Sequence, residues 1–512
     1  MKTFTRIWLL AVMALATHAS ADVKLPAIFS DHMVLQAGVI APVWGWAGAG
    51  EEVTVAIASQ AKKATAGDNG KWMVKLDALK AGAPGTLTVK GKNTITVADV
   101  LVGDVWLCSG QSNMSMSVEG ANDFAKERAA ANFPQIRAFR EGSNGMPSPS
   151  EECAGSWIVC SSNTLGCFSA VAYFFGREIH QKTGVAIGLI NSSVGGTQIE
   201  EWTSLDAQLA QPTLKTIIDD KAKKLAGDQA AWKPEQAEAD YEKQLAVWKE
   251  AAAKAKAAGQ PEPRQPVKVI EPRLRPDPRA GLFNGKIAPL IPYAVRGAIW
   301  YQGEGNTGLG MLYGLQLATL IQDWRTRWGS EFPFAWVQLP EFSPARAEPV
   351  EKSGWALVRE GMLQTLRLPQ TGMAISLGTG EADNPHPKNK QEVGRRLSLW
   401  ALATVYGQKD VAWAGPLPAG HETNGAEVVI SFTHTDGGLV AKGGELKGFA
   451  IAGTDKQWVW ANAKIVGATV VVSHPAVAMP VAVRYAWADN PAGANLYNGA
   501  GLPASPFRTD AP

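Results

Sequence analysis

Polar and apolar residues alternate with a period of two along residues 25–100, and glycine and proline separate the alternating runs. Successive side chains of a strand point to opposite faces, so this pattern is typical of strands with one buried face. The alternating apolar positions are Val53, Val55, Ile57, Trp72, Val74, Leu76, Leu87 and Val89. We therefore predict an N-terminal β domain of sandwich type over residues 22–100.

The pattern changes near residue 101, where short apolar runs begin to alternate with stretches of helical periodicity. The apolar runs cover residues 100–107, 185–190, 298–300, 334–339 and 372–377, and the helical stretches include residues 170–181 and 390–406. Apolar runs without alternation are typical of parallel strands, which helices cover on both faces. Residues 101–408 are therefore predicted to form an α/β domain around a parallel sheet.

Residues 205–272 interrupt this rhythm with two longer helical patterns. Apolar residues recur at steps of three and four, first at Leu214, Ile217, Ile218 and Leu225, then at Tyr241, Leu245, Trp248, Ala252 and Ala255. Residues 227–234 break the pattern between them, and the proline-rich residues 261–266 end it. This predicts an antiparallel helical hairpin inserted in the α/β domain and followed by a stiff linker.

Alternation with a period of two returns after residue 408. Its apolar positions are Val428, Ile430, Phe432, Trp458, Trp460, Val470, Val472, Val481, Val483 and Tyr485. We predict a C-terminal β-sandwich-like domain over residues 409–512.

The first 21 residues have the three parts of a signal peptide. Lys2 and Arg6 supply a positive region, residues 7–15 are apolar, and Ala19-Ser20-Ala21 is a small-residue cleavage site. The sequence thus predicts cleavage after Ala21 and an exported protein, periplasmic or extracellular. Later apolar runs are shorter than the about 18 residues that span a membrane, so we expect no membrane segment in the mature form.

Export makes the four cysteines candidates for disulfides. They are Cys108, Cys153, Cys160 and Cys167, which allow three connectivities. The alternative is that some are buried free thiols. No Cys-x-x-Cys or histidine pairing accompanies them, so we predict no metal site.

Composition excludes some function classes. The chain of 512 residues has a net charge of +2, which gives no reason to expect a nucleic-acid partner. It has no phosphate-binding loop or dinucleotide fingerprint, and we expect no cofactor. Its 19 tryptophans are many, and any exposed ones are candidates to stack on sugar rings.

Three polar stretches follow apparent strands and bring the residue types of nucleophilic catalysis. Ser112 comes just after the apolar run 100–107, on a turn that exposes its hydroxyl. Gln302 and Glu304 follow the run that ends at Trp300, and His386 follows the run 372–377. A neutral serine needs a neighbouring base, and His386 is the best candidate because a carboxylate precedes it closely.

Several motifs that recur in order resemble the sialate O-acetylesterase family of the SGNH hydrolases. They are Gly103-Asp104-Val105-Trp106, Ser109-Gly110-Gln111-Ser112-Asn113-Met114, Val194-Gly195-Gly196-Thr197, Trp300-Tyr301-Gln302-Gly303-Glu304 and His386-Pro387. The resemblance extends from about residue 25 to residue 510. It implies an SGNH-type, flavodoxin-like parallel sheet core and an oxyanion hole. The Ser112 backbone N–H is joined there, by resemblance, by an N–H of Gly195 or Gly196 and the Gln302 side-chain amide.

The carboxylate partner of His386 has two candidates. Asp383 lies three residues before His386, the Asp-x-x-His spacing of the SGNH superfamily. Many members of the resembled family carry the acid two residues before the histidine, where this chain has Asn384. Glu304 is therefore the alternative, and Asp383 is preferred.

The first functional hypothesis is an exported serine esterase that removes acetyl groups from carbohydrates, with an acetylated carbohydrate as its partner. The family name suggests acetylated sialic acid, and acetylated xylan or xyloglucan is the alternative substrate. A non-catalytic glycan-binding protein is the second hypothesis, which intact Ser112 and His386 argue against. A protease or lipase is the third, and the sequence has no apolar lid that faces lipid.

Overall fold

The computed structural model describes residues 22–260, 262–263, 265–269, 271–272 and 277–510. The predicted signal peptide, Met1 to Ala21, lies outside the described residues, as does part of the proline-rich linker. Among the described residues, no helix is long and apolar enough to cross a membrane.

The N-terminal region is all β, as the alternating pattern predicted. Its strands are β1 (Val34–Gln36), β2 (Ala41–Trp46), β3 (Glu52–Ile57), β4 (Gln60–Thr65), β5 (Lys71–Leu76), β6 (Gly82–Lys90) and β7 (Thr94–Gly110). β4, β3, β6 and β7 pair in that order, β1 runs parallel to β7, and β2 pairs with β5. β7 is a single strand of 17 residues that crosses the predicted boundary between residues 100 and 101. One continuous strand therefore joins this region to the central sheet.

The central sheet is built around the second half of β7. Its other strands are β8 (Asn132–Glu141), β9 (Gly155–Ser161), β10 (Ile187–Ser193), β11 (Gly297–Tyr301), β12 (Phe334–Val337) and β13 (Thr371–Ala374). Their order is β13-β12-β11-β7-β10-β8-β9, and every neighbouring pair is parallel except β8 with β9. The predicted parallel sheet is confirmed, with one antiparallel strand at its edge.

Helices cover both faces of this sheet. They are α1 (Ser112–Ser115), α2 (Phe124–Ala130), α3 (Ala170–Thr183), α4 (Leu205–Leu209), α5 (Pro212–Ala231), α6 (Pro234–Ala257), α7 (Leu312–Trp328), α8 (Gly354–Thr365) and α9 (Lys390–Thr404). Short 3₁₀ turns lie at Val118–Gly120, Leu165–Cys167, Ile199–Trp202, Ala288–Leu290 and Glu304–Leu309, and a π turn at Phe283–Ile287.

Alternate residues of β7 enter two different cores. Trp106 packs with α3 and α9, for example edge to face on Phe175, whereas Leu107 joins the core that includes α7 and α8. Trp300 of β11 packs in that second core between Trp202 and Trp324, with ring centroids 6.0 and 5.9 Å away. Many of the tryptophans thus serve core packing.

The insertion contains the two predicted long helices, but their packing differs from an antiparallel hairpin. α5 packs on α4 rather than lengthwise on α6. The reason is that the buried residues of α5, Leu214 and Ile218, share a face with Lys221, which contacts Gln198 in the loop after β10. α6 instead contacts the extended chain that follows it, where the Trp248 indole N–H donates to the Pro263 carbonyl at 2.7 Å.

The C-terminal region forms two four-stranded antiparallel sheets, as the returning alternation predicted. Its strands are β14 (Leu417–Asn424), β15 (Glu427–Thr433), β16 (Leu439–Ala441), β17 (Phe449–Ala452), β18 (Val459–Trp460), β19 (Asn462–Val466), β20 (Thr469–Ser473), β21 (Ala482–Tyr485), β22 (Leu496–Asn498) and β23 (Phe507–Arg508). The sheets are β14-β15-β20-β19 and β18-β17-β21-β23, and β16 pairs with β22. Phe432 and Phe507 meet between the sheets, with ring centroids 5.8 Å apart.

All four cysteines are free thiols, which corrects the expectation of a disulfide. Cys108 lies in β7 and Cys160 in β9, and two strands separate these in the sheet. At the spacing of neighbouring strands this places them at least about 14 Å apart, too far for a disulfide. Cys153 packs in the core on the other face, and Cys167 is exposed.

Gly110 is the residue at which β7 ends, and it tolerates no side chain. Its φ is +138°, and a Cβ there would lie 2.2 Å from the carbonyl oxygen of Tyr301. We predict that Gly110→Ala lowers the melting temperature, and lowers about 10²-fold any activity that depends on Ser112, because the turn that carries Ser112 must shift. Gly184→Ala is the matched control, since Gly184 has a φ of +73° and no atom within 4 Å of the added Cβ. Equal losses of melting temperature in the two variants would contradict the crowding at Gly110.

Candidate active site

Three neighbouring strand ends form the site. Gly110 of β7 is in register with Ser193 of β10 on one side and with Tyr301 of β11 on the other. Because all three strands are parallel, the loops that follow them leave the same edge of the sheet. β10 and β11 lie on opposite sides of β7, so the connections diverge there, and such a point is where open α/β sheets bind ligands.

Ser112 sits at the tight turn after β7. The positive φ of Gly110 turns the chain, the Gln111 N–H donates to the Tyr301 carbonyl at 3.0 Å, and Ser112 opens α1. Ser112 remains half-buried. The turn therefore exposes the hydroxyl at the strand edge, as the sequence predicted.

His386 reaches this serine from the loop between β13 and α9. Its Nε2 lies 2.7 Å from the Ser112 Oγ. Asn384 holds the loop, because its Oδ1 accepts the His386 backbone N–H and its Nδ2 donates to the His386 carbonyl, both at 2.9 Å. Burial, and then the charge of Lys390, lower the pKa of His386 below its ordinary value. Near neutral pH the imidazole is therefore unprotonated and ready to accept a proton.

Neither candidate carboxylate contacts the His386 ring. Asp383 is exposed and forms no hydrogen bond or ion pair with any described residue. Glu304 is directed elsewhere, since its Oε1 accepts from the Asn113 side chain at 2.6 Å. Burial raises the pKa of Glu304 above its usual range.

The backbone of Gly195 lies against the nucleophile. A Cβ at Gly195 would be 3.2 Å from the Ser112 Cβ, and Gly196 next to it is exposed with a φ of +74°. Within the described chain, the backbone N–H groups of Ser112 and Gly195 donate to no other backbone carbonyl. These two N–H groups are therefore available to an oxyanion formed at Ser112.

Gln302 does not face the serine with a free amide. Its side chain is fully buried, and its Nε2 donates to the Thr197 carbonyl at 3.1 Å and to the Asn306 Oδ1 at 2.7 Å. Its Oε1 accepts the Tyr313 hydroxyl at 2.8 Å. Both amide hydrogens are thus engaged inside the protein, in contrast to the donor role that the resemblance implied. The amide instead fixes the loop after β10 to the loop after β11.

The sequence analysis assigned no role to two buried residues next to Ser112 and His386. Asn113 is fully buried and bonded to Glu304, and Lys390, also fully buried, donates to the Asn113 Oδ1 at 2.5 Å. Burial lowers the pKa of Lys390 to about 7. The available signals were the position of Asn113 directly after the nucleophile and of Lys390 four residues after His386, where a helix was predicted to begin.

The helical insertion contacts the loop that carries Gly195. Lys221 of α5 bonds to the Gln198 side chain and lies 3.6 Å from a carboxylate oxygen of buried Glu200. Glu200 in turn accepts from the Asn306 side chain at 2.8 Å. The insertion is therefore attached to the loop that carries Gly195.

A serine and a histidine in hydrogen-bond contact at the carboxyl edge of a parallel sheet are the elements of a serine-dependent acyl-transfer enzyme. The description "carbohydrate esterase, sialic acid-specific acetylesterase" belongs to the family model that matches residues 102–254. A sialate O-acetylesterase of Mus musculus is 30% identical over 98% of this chain and 97% of its own length. That of Homo sapiens is 30% identical over 96% of this chain and 93% of its own.

A solved structure agrees with the sequence relatives. The crystal structure of a carbohydrate acetylesterase from Xanthomonas citri is 35% identical, with a TM-score of 0.78 over 96% of this chain and 100% of that one. Fold and relatives together define a carboxylic ester hydrolase of the carbohydrate O-acetylesterase class. The chain belongs to the sialate O-acetylesterase family.

Ser112→Ala is predicted to abolish acetate release while leaving the thermal transition nearly unchanged. Loss of the nucleophile of such a unit costs on the order of 10⁴-fold or more in kcat. Ser115→Ala is the matched control, because Ser115 is exposed one helical turn further along α1. A Ser112 variant with a tenth of the normal activity would rule out a serine mechanism.

The pH dependence of kcat/KM tests the base. Because the pKa of His386 is lowered, its neutral form persists to lower pH than in an ordinary histidine. Activity should therefore hold through neutral pH and fall only below about pH 6.5. The thermal transition, measured over the same pH range, separates titration from unfolding. A flat profile down to pH 4, or an acid limb centred above pH 7, would contradict the assignment to His386.

Proposed function

We propose that this protein is an exported serine esterase that removes O-acetyl groups from carbohydrates through Ser112, His386 and Asp383. The observation that carries the proposal is the 2.7 Å contact between the Ser112 Oγ and the His386 Nε2 at the strand edge. Family membership supplies the chemical class of the substrate.

In the proposed first half-reaction, the Ser112 Oγ attacks the acetyl carbonyl carbon and the His386 Nε2 takes the hydroxyl proton. The carbonyl oxygen becomes an oxyanion, which the N–H groups of Ser112 and Gly195 stabilise. When the tetrahedral intermediate collapses, the bond to the sugar oxygen breaks and the imidazolium returns the proton to that oxygen. The products are a free sugar hydroxyl and an acetylated Ser112.

In the second half-reaction, water attacks the acetyl group on Ser112 while His386 takes the water proton. Collapse of the new intermediate releases acetic acid, which ionises to acetate in solution, and returns the imidazolium proton to the Ser112 oxygen. Both proton transfers at the Ser112 oxygen pass through the imidazole, so these steps need no cofactor.

For the acid we propose Asp383 rather than Glu304. Asp383 lies on the loop of His386 and has no competing partner among the described residues, so it is available to the imidazole Nδ1. Catalytic hydrogen bonds often tighten only when substrate binds. Asp383 and the His386 imidazole can therefore form this pair although they are not in contact in this structure. Glu304 is already bonded to the Asn113 side chain, so its carboxyl group is engaged away from the imidazole.

Strand order supports an SGNH-type core. Of the six parallel strands, β8 lies outside β10. The other five, β7, β10, β11, β12 and β13, numbered one to five along the chain, have the spatial order two-one-three-four-five. This is the flavodoxin-like order of doubly wound sheets. In the proposed core, β8 and β9 are additions at the edge of β10.

The signal-peptide pattern of residues 1–21 supports export to the periplasm or the cell exterior.

The family supports acetylated sialic acid as the substrate. Acetylated xylan or xyloglucan is the second candidate, and the description of the Xanthomonas citri relative as a carbohydrate acetylesterase is compatible with either substrate.

Acetate release from a panel of acetylated glycans distinguishes these substrates. The panel contains O-acetylated sialic acid, acetylated xylan oligosaccharides and acetylated xyloglucan oligosaccharides, with Ser112→Ala as the blank. We expect release from at least one glycan at a kcat/KM above that for a simple aryl acetate. Cleavage of the aryl acetate alone would contradict a carbohydrate esterase.

The choice of acid has its own kinetic test. We predict that Asp383→Asn lowers kcat by several orders of magnitude, because the asparagine amide favours the wrong imidazole tautomer. Glu304→Gln should cost less, since it retains a hydrogen-bonding side chain next to Asn113. Circular dichroism on each variant excludes misfolding. The reverse ranking would make Glu304 the acid.

A further inference from the structure

We propose that Asn113 is a positioning residue whose side-chain amide holds Ser112 and His386 at reacting distance, and that Lys390 fixes the direction in which this amide points. The proposal rests on the proposed Ser112–His386 pair. It assigns a role to two buried polar residues that the chemical steps do not use.

The amide of Asn113 contacts both of the other segments of the site. Its Nδ2 donates to the Glu304 Oε1 at 2.6 Å and to the Pro385 carbonyl at 2.9 Å. Asn113 follows Ser112 directly, Pro385 precedes His386 directly, and Glu304 lies just beyond β11. One side chain thus links the turn after β7, the loop after β11 and the loop of the base.

The direction of the amide is determined by its partners. A carboxylate and a carbonyl only accept, so the two hydrogens of Nδ2 must face Glu304 and Pro385. An amine donates, and the Lys390 Nζ lies 2.5 Å from the Asn113 Oδ1. All three contacts agree on one orientation, and without Lys390 the Oδ1 would be a buried acceptor that has lost its donor.

The surroundings make these bonds hard to replace. Asn113 and Lys390 are fully buried, and the Lys390 Nζ lies 5.2 Å from the centroid of the Tyr301 ring. The titratable groups that interact with Lys390 are Glu304, Glu381 and His386. The second carboxyl oxygen of Glu304 is buried and has no hydrogen-bond partner among the described residues. Glu304 therefore depends on the Asn113 donor, because water does not reach that oxygen.

An exchange of donor and acceptor tests the role of Asn113. Asn113→Asp keeps the shape but directs an acceptor at the oxygens of Glu304 and Pro385. We expect kcat to fall about 10²-fold with KM changed less than about threefold, because the two reacting side chains separate. Adding Glu304→Gln to Asn113→Asp returns a donor to this contact. The double variant should regain at least about tenfold in kcat over Asn113→Asp.

Two replacements test Lys390. Lys390→Gln retains a donor group, whereas Lys390→Met has a similar length and none. We expect the glutamine variant to keep more kcat than the methionine variant, at similar KM. Equal kcat in the two variants, or a loss confined to KM, would overturn the orienting role.

All variants are measured on one soluble acetyl ester as full-length protein, with rates divided by the total protein concentration and folding checked by circular dichroism. Asn163→Asp, at an exposed asparagine, is the control for the substitution itself. If Ser112→Ala is inactive but Asn113→Asp keeps kcat within about threefold, the positioning role is wrong and the serine mechanism stands. A double variant no better than Asn113→Asp would likewise overturn it. An active Ser112→Ala would instead overturn the proposed function.

Discussion

The parallel pairing of β7 with β10 and β11 is the constraint on which the rest of the site depends. The register aligns Gly110 with Ser193 and with Tyr301, so three loops begin at one level of the sheet. Gly110 leaves no space between its backbone and the Tyr301 carbonyl. This crowding constrains the direction in which the chain turns after β7, and the turn places Ser112 against Gly195. The two four-stranded sheets of the C-terminal region are attached to the α/β region, for example through the Arg508–Glu360 ion pair at 2.9 Å.

The same edge of the sheet carries a buried polar layer. Gln302, Asn306 and Tyr313 join the loops after β10 and β11, and Asn113 joins the loop after β11 to that of His386. Buried polar groups are costly when unpaired, so a nearly complete network favours one geometry over its alternatives. This layer accounts for why His386, on a long exposed loop, meets Ser112 at 2.7 Å.

Sequence patterns predicted the strands, the parallel sheet and the meeting of Ser112 with His386, because hydrophobic periodicity and strand ends are local properties. They did not predict that the Gln302 amide would donate to Thr197 and Asn306. Nor did they predict that Lys390 would be buried and donate to Asn113. The predictions that α5 and α6 pack as a hairpin and that a disulfide forms were also wrong. In each case the partner of a side chain was decided by neighbours distant in sequence, which periodicity and spacing do not specify.

Covalent trapping of the nucleophile tests the central claim most directly. An aryl phosphonate ester reacts with an activated serine and leaves a stable tetrahedral adduct that mass spectrometry of proteolytic peptides can locate. We predict one adduct per chain, on Ser112, formed rapidly in the native protein and hardly at all in His386→Ala. An adduct on another serine, or labelling of Ser112 at the same rate without His386, would contradict a Ser112–His386 pair.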